Sequence, residues 1–264
     1  MDGMLLLMLA IGLSVTMTVA WAIQRMTGAS GWVDMIWSAA VGIGGMAAAA
    51  FAAGDGGRRT AVLMIIAIWS LRLASHIAAR TRGGGEDPRY EALIEEWGRS
   101  AALRLWLFLQ VQAGAAFVLI LAVYLAAASA EPFPRVADLL AMTVAIVAVT
   151  GEAVSDRQLS TFRKTAEAGM GVMERGLWRY SRHPNYFFEW LFWCAWPLMA
   201  ISLAVGWGWL ALLAPLQMYW LLVHVSGIPP LEQHMLASRG EKFRALQARV
   251  NAFFPGPRKG KFSP

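Results

Sequence analysis

Charge is scarce in this chain. Only 15% of its 264 residues are Asp, Glu, Lys or Arg, against 58% hydrophobic ones, and the mean hydropathy is +0.49. Soluble domains carry roughly 25% charged residues, so this composition excludes the soluble class and points to an integral membrane protein. Cysteine is almost absent too. The lone Cys194 excludes an intramolecular disulfide and, beside Trp193 and Trp196, reads as a small buried hydrophobe. There is no P-loop, no G-x-G-x-x-G after a strand, no H-E-x-x-H and no G-x-S-x-G. The dispersed histidines His76, His183, His224 and His234 offer no metal-ligand spacing. No Lys or Arg precedes Arg25, so the first apolar stretch lacks a signal peptide's basic region and is expected to stay as the first helix. Internal repeats and low-complexity linkers are also missing, so one transmembrane domain over 1–264 is expected.

What is present is a series of apolar runs near the ~20 residues that a spanning helix needs. They lie at roughly 4–23, 32–53, 60–80, 103–128, 136–155, 186–205 and 207–226. The fold class is therefore all-α and polytopic, with seven transmembrane helices and short interfacial helices. The last two runs meet at Gly206-Trp207-Gly208, a tight hairpin, with Pro197 and Pro215 as kink points. Small residues abound in the second to fifth spans and permit close helix packing in lipid.

Of the 23 Lys and Arg residues, 5 lie in 80–104, 6 in 155–185 and 7 in 227–264, all on one side of a seven-span protein. The positive-inside rule makes that side cytoplasmic, with the N-terminus outside and the C-terminus inside. Arg58, Arg59 and Arg135 fall on the outer side. The net charge of +6 and pI near 9.9 are explained by this topology, and the basic residues form no surface suited to nucleic acid. Residues 81–102 read as a glycine run followed by a short amphipathic interfacial helix, with Asp87 as N-cap and Pro88 at its first position. The tail from Ser238 reads as another polar helix, stopped by Pro255 and Pro257.

Ionisable groups inside apolar spans cost about 2.5–3.5 kcal/mol each at mid-membrane, which makes the retained ones site candidates. Arg72, His76 and Arg80 recur every four residues and form one stripe on the third span. Asp34 lies at the start of the second. Glu152 and Asp156 are one turn apart at the end of the fifth, followed by Arg157, Gln158, Arg163 and Lys164. Carboxylates accept from sugar hydroxyls while guanidinium and ammonium groups take phosphate. Next come Arg179, Arg182 and His183, with Asn185 and Tyr186 at the start of a helix whose free N–H groups favour anions. The alternatives are solvated helix ends with local ion pairs, a structural pair for Arg72, and a dipole partner in Asp34.

The run Gly176-Leu177-Trp178-Arg179-Tyr180-Ser181-Arg182-His183-Pro184-Asn185-Tyr186-Phe187-Phe188-Glu189 resembles the DUF1295 family of steroid 5-alpha-reductase-like integral membrane enzymes, whose usual pattern is G-L-W-R-Y-S-R-H-P-N-Y-F-G-E. Further similar segments are Asp34 with Trp37, Arg72 with Gly85-Glu86-Asp87-Pro88-Arg89-Tyr90, Glu152 with Asp156 and Gln158-Leu159, and Val225 to Pro229 with Leu231-Glu232. Phe188 stands where the pattern has glycine, and Pro230 where leucine is common.

The resemblance implies an NADPH-dependent reductase that saturates a carbon–carbon double bond conjugated to a ketone, in a steroid or other lipid. By the same implication Glu152, Asp156, Arg163, Arg179, Arg182, His183, Asn185, Tyr186, Glu189 and Glu232 hold the dinucleotide, in a cofactor-binding half of about 150–264. Tyr90 and Asp34 match the tyrosine and the acid, one carbon shorter here, that polarise the substrate carbonyl. The partners expected are a hydrophobic small molecule and membrane lipids. A membrane methyltransferase using S-adenosylmethionine, similar to the isoprenylcysteine carboxyl methyltransferases, is the alternative, and a lipid-binding protein without activity is a third reading.

Overall fold

The computed structural model describes residues 2–82, 88–165, 171–202 and 206–259. Asp87, the expected N-cap, and the Gly85-Glu86-Asp87 segment lie outside them. The elements are α1 (Gly3–Thr27), α2 (Gly31–Phe51), α3 (Gly56–Arg82), α4 (Pro88–Trp97), α5 (Ala101–Ala127), α6 (Val136–Arg163), α7 (Pro184–Ala200), α8 (Leu213–Trp220), α9 (Ile228–Arg239) and α10 (Glu241–Arg249). No strand occurs among the described residues. Six helical stretches are long and apolar enough to cross a membrane: α1, α2, α3, Tyr90–Ala127, α6 and Gly206–Arg239. The run expected at 186–205 is the 17-residue α7, at the short end of the spanning range. This is a multi-pass membrane protein.

The chain divides into two compact units. The first comprises Met1–Ala141 and Trp196–Ala214, the second Met142–Ala195 and Pro215–Pro264.

In the first unit, α2 is placed by its small residues. A Cβ at Gly42 would overlap the Ser70 side chain, one at Gly45 would meet Ile66, and one at Gly31 would meet Thr81. These glycines let α3 lie directly on α2, and Ser70 Oγ donates to the Ser38 carbonyl at 3.0 Å across the contact. The interface of α1 with α5 is polar in the middle of its span. Ser14 Oγ donates to Gln110 Oε1 at 2.7 Å, and both Gln110 Nε2 and the Trp106 indole donate to Thr18 Oγ1 at 3.2 Å. Each group is satisfied by the opposite helix, as hydrocarbon requires. Leu7, Ile11 and Val15 on α1, with Leu103, Leu107 and Val111 on α5, are exposed at helical spacing and form lipid-facing surface.

Arg58, Arg59 and Arg135, the arginines that the span count assigns to the outer side, are built into the structure. Arg58 and Asp138 are fully buried, with Arg58 Nη1 2.8 Å from Asp138 Oδ1 and Nη2 2.9 Å from Oδ2. Arg135 donates to the same carboxylate and, at 2.9 Å, to the Met199 carbonyl at the end of α7. Arg59 donates to the Ala49 and Ala50 carbonyls at the end of α2. Three arginines, two of them held by the Asp138 carboxylate, thereby satisfy open carbonyls of two helix ends.

In the second unit, α9 and α10 are separated at Gly240, which has φ 51°. The tail helix thus begins at Glu241, and it ends at Arg249, before either proline. Val250 is extended, and the chain from there runs back across residues 174–182. Arg182 N–H donates to the Asn251 carbonyl at 2.9 Å, Gly256 N–H to Tyr180 at 3.0 Å, and Ser181 Oγ to Phe253 at 2.8 Å. Arg258 closes this strap on Glu174 Oε2 at 2.9 Å. Phe253 and Phe254 pack with Phe187, Trp190 and Tyr219.

Removing one partner of a buried ion pair leaves an uncompensated charge. Asp138→Ala should therefore destabilise the protein by about 3–5 kcal/mol, measured as a lowered melting temperature in detergent. Arg244→Ala, which breaks an exposed pair with Glu241, should leave melting nearly unchanged.

Candidate functional site

Each unit holds a polar cluster. In the first unit it forms around Tyr90, which is 3% exposed. The Tyr90 hydroxyl donates to Asp34 Oδ1 at 2.9 Å and accepts from Gln112 Nε2 at 3.1 Å. Asp34 is in the first turn of α2, Tyr90 in α4 and Gln112 in α5, so three helices converge on one phenol oxygen. The shorter acid side chain reaches the tyrosine. The Trp37 indole donates to the Gln112 backbone carbonyl at 3.1 Å, and the Phe108 ring meets Tyr90 edge-on with centroids 6.3 Å apart. Gln112 was missed in the sequence, although a primary amide inside an apolar span was the available signal. Arg72, His76 and Arg80 do share α3; Arg72 and His76 are half-buried and Arg80 is exposed.

In the second unit the cluster lies at the start of α7. Two features shape the approach to it. Gly176 has φ +60°, and a Cβ there would overlap the Gln158 side chain, whose Oε1 accepts from Leu177 N–H at 3.0 Å. The Trp178 indole donates to the Ser155 carbonyl at 3.1 Å. The turn at 176–179 is thus pinned to α6 by side chains whose purpose the sequence did not reveal. Ser181 Oγ then accepts from His183 N–H at 3.1 Å, just ahead of the helix.

Glu232 on α9 gathers the next residues. It accepts from Arg182 Nε at 2.7 Å and Nη2 at 3.1 Å, from His183 Nε2 at 3.0 Å and from Gln247 Nε2 at 2.7 Å. The remaining Arg182 nitrogen donates to the Gln247 and Val250 carbonyls. Arg182, His183 and Glu232 are therefore brought together, but Arg182 and Glu232 spend their capacity on each other and on the tail. Tyr186 stacks on His183 with centroids 5.6 Å apart. Asn185 Nδ2 faces Asp156 Oδ1 at 3.4 Å, Glu152 and Asp156 are buried, and buried Glu189 accepts from the Trp193 indole at 2.9 Å. Arg163 and Arg179 are exposed instead. Phe188, in the glycine position of the pattern, lays its ring where a Cβ of Gly151 would be, so a small residue on α6 accommodates the large one on α7.

At the start of α7 itself, two buried side-chain atoms have no hydrogen-bond partner among the described residues: His183 Nδ1 and Asn185 Oδ1. Leaving such atoms unpaired costs about 1–3 kcal/mol each, so they mark a place where a ligand can pay back the desolvation. The groups that surround them suit a ligand carrying N–H and O–H donors. No group of three or more His, Cys, Asp or Glu residues suited to a metal ion occurs among the described residues.

A multi-pass helical membrane protein with a buried phenol bonded to a half-buried carboxylate, and with a polar cluster at a helix start, is thus defined. The chain belongs to the DUF1295 family, described as proteins of unknown function, whose profile matches residues 20–250. No curated protein and no solved structure matches it.

Burial lowers the pKa of His183 below the ordinary 6.5, while its bond to Glu232 opposes the shift. A histidine held neutral by the fold contributes stability that is complete above its unfolded pKa and is lost as pH falls below it. Melting temperature should therefore drop as pH goes from about 7 to about 5.5, and the drop should shrink in His183→Gln.

Proposed function

We propose that the protein is a membrane-embedded NADPH-dependent reductase acting on a carbon–carbon double bond conjugated to a lipid ketone. The observation that carries this reading is the hydrogen bond from the buried Tyr90 hydroxyl to half-buried Asp34. A phenol set in a dry, preorganised environment is suited to stabilise charge that develops on a ketone oxygen. The orphaned acceptors at His183 and Asn185 and the exposed Arg179 are the groups that fit a dinucleotide, donors at the first two and phosphate at the third. NADPH, when bound, supplies the hydride; the protein supplies position and electrostatics.

The chemistry of the Tyr90 cluster follows from proton count. The phenol has one proton, and with Asp34 ionised that proton is held on Oδ1. To donate to a ketone oxygen, the hydroxyl must turn away from Asp34, which leaves a carboxylate facing the phenol oxygen. A bound ketone oxygen would compete with Asp34 for that one phenol proton, with Asp34 fixing where the phenol sits. Gln112 occupies a second lone pair of the phenol and limits the directions in which its proton can point.

The basic segments at 80–104, 155–185 and 227–264 support a cytoplasmic face for them, with the N-terminus outside. Expression with reporters fused at either end would read that orientation.

The enzyme reading is tested on protein purified in mild detergent. NADPH should bind, and Arg179→Ala should weaken binding. Tyr90→Phe should cut turnover of an enone lipid by about 100-fold or more with NADPH affinity nearly unchanged. Binding of S-adenosylmethionine in place of NADPH would replace the reductase by a methyltransferase.

A further inference from the structure

The strongest unexplained feature is the polarity of the atoms left open at the start of α7. His183 Nε2 lies 3.0 Å from Glu232 Oε1, and that carboxylate is already held by Arg182. A carboxylate bound in this way only accepts, so Nε2 carries the ring proton. Burial keeps the ring neutral, and Nδ1 is then a bare lone pair. A parallel argument fixes Asn185. Its Nδ2 faces the acceptor Asp156 Oδ1, which turns Oδ1 the other way as an acceptor. Both orphaned atoms at this helix start are therefore acceptors, and neither has a partner among the described residues.

We propose that the start of α7 recognises a neutral hydrogen-bond-donating group of its ligand through His183 Nδ1 and Asn185 Oδ1, and does not bind a phosphate there. The proposal rests on the NADPH reading and deepens it. A phosphate brings only acceptors and negative charge. It would face two acceptor atoms with the acids Asp156, Glu152 and Glu189 in the same unit, while the nearest cation in the sequence, Arg182, is already neutralised by Glu232. The His183 side chain is only 4% exposed, so its orphaned nitrogen sees no bulk water to satisfy it. The chemistry required is a primary amide, an amine or a sugar hydroxyl. In the dinucleotide these are the nicotinamide carboxamide, the adenine amine and the ribose diol.

The test is calorimetric binding to the full chain in detergent. The probes are NADP+, its 3-acetylpyridine analogue (no amide N–H), its hypoxanthine analogue (no adenine amine), an analogue lacking both hydroxyls of the nicotinamide ribose, and inorganic pyrophosphate. One donor-deleted analogue should bind about tenfold or more weaker than NADP+, and which one it is names the source of the donor. Asn185→Leu should weaken NADP+ and remove most of that discrimination, with pyrophosphate affinity unchanged. If all three analogues bind as tightly as NADP+, the proposal falls and the NADPH reading stands. A loss of pyrophosphate affinity in Asn185→Leu also overturns it, because phosphate would then be the group held there. Failure of NADP+ to bind overturns both. Because His183→Gln keeps a donor for Glu232, it provides a second variant if Asn185→Leu does not fold, and it too should lose the discrimination.

Discussion

A polar side chain placed in hydrocarbon has no water to turn to, and this constraint governs the arrangement of the whole chain. It explains why polar residues in the first unit come in sets that span two or three helices. Ser14 and Thr18 are answered by Gln110 and Trp106, Asp34 by Tyr90, and Asp138 by two arginines. Each set fixes the register of its helices, because sliding one helix by a turn would strand every member. Apolar packing in lipid has no such preference, since a leucine meets a leucine or an acyl chain with similar ease. Polar pairs and glycine contacts therefore supply the specificity that hydrophobicity cannot.

The same rule separates structural polar groups from candidate functional ones. Arg58 and Arg182 are both buried or half-buried cations, yet each is surrounded by carboxylate and carbonyl oxygens. His183 and Asn185 are satisfied on one side and open on the other. Charge alone suggested that Arg182 and His183 share a task. The hydrogen bonds divide them, with Arg182 tying the tail to α9 and His183 presenting a lone pair.

Much of this was legible in the sequence. Apolar run lengths gave the helical spans, and the family resemblance at Asp34 and Tyr90 marked a pair that does meet. Local signals failed where the reason for a residue lies far along the chain. Arg58 and Arg135 were given no partner because Asp138, 80 residues from Arg58, and carbonyls of α7 are invisible to a linear reading. Gln112 was hidden in an otherwise apolar stretch. The tail was read as a polar helix from Ser238 up to Pro255 and Pro257, but it ends at Arg249, and the path beyond is set by backbone partners at Tyr180 and Arg182.

That strap also sets an order of events during synthesis. Ser181 and the carbonyls of Ala252 and Phe253 that accept its hydroxyl hydrogen bonds are separated by about seventy positions. When residues 176–183 first leave the ribosome, the chain that will hold their backbone has not yet been made. The start of α7 must wait in a provisional state while α8, α9 and α10 are translated, and it acquires its final shape only when 251–258 arrive. A chain interrupted before that point lacks the backbone partners of Tyr180, Ser181 and Arg182. Synthesis through residue 258 is thereby a precondition for the strapped geometry at the start of α7.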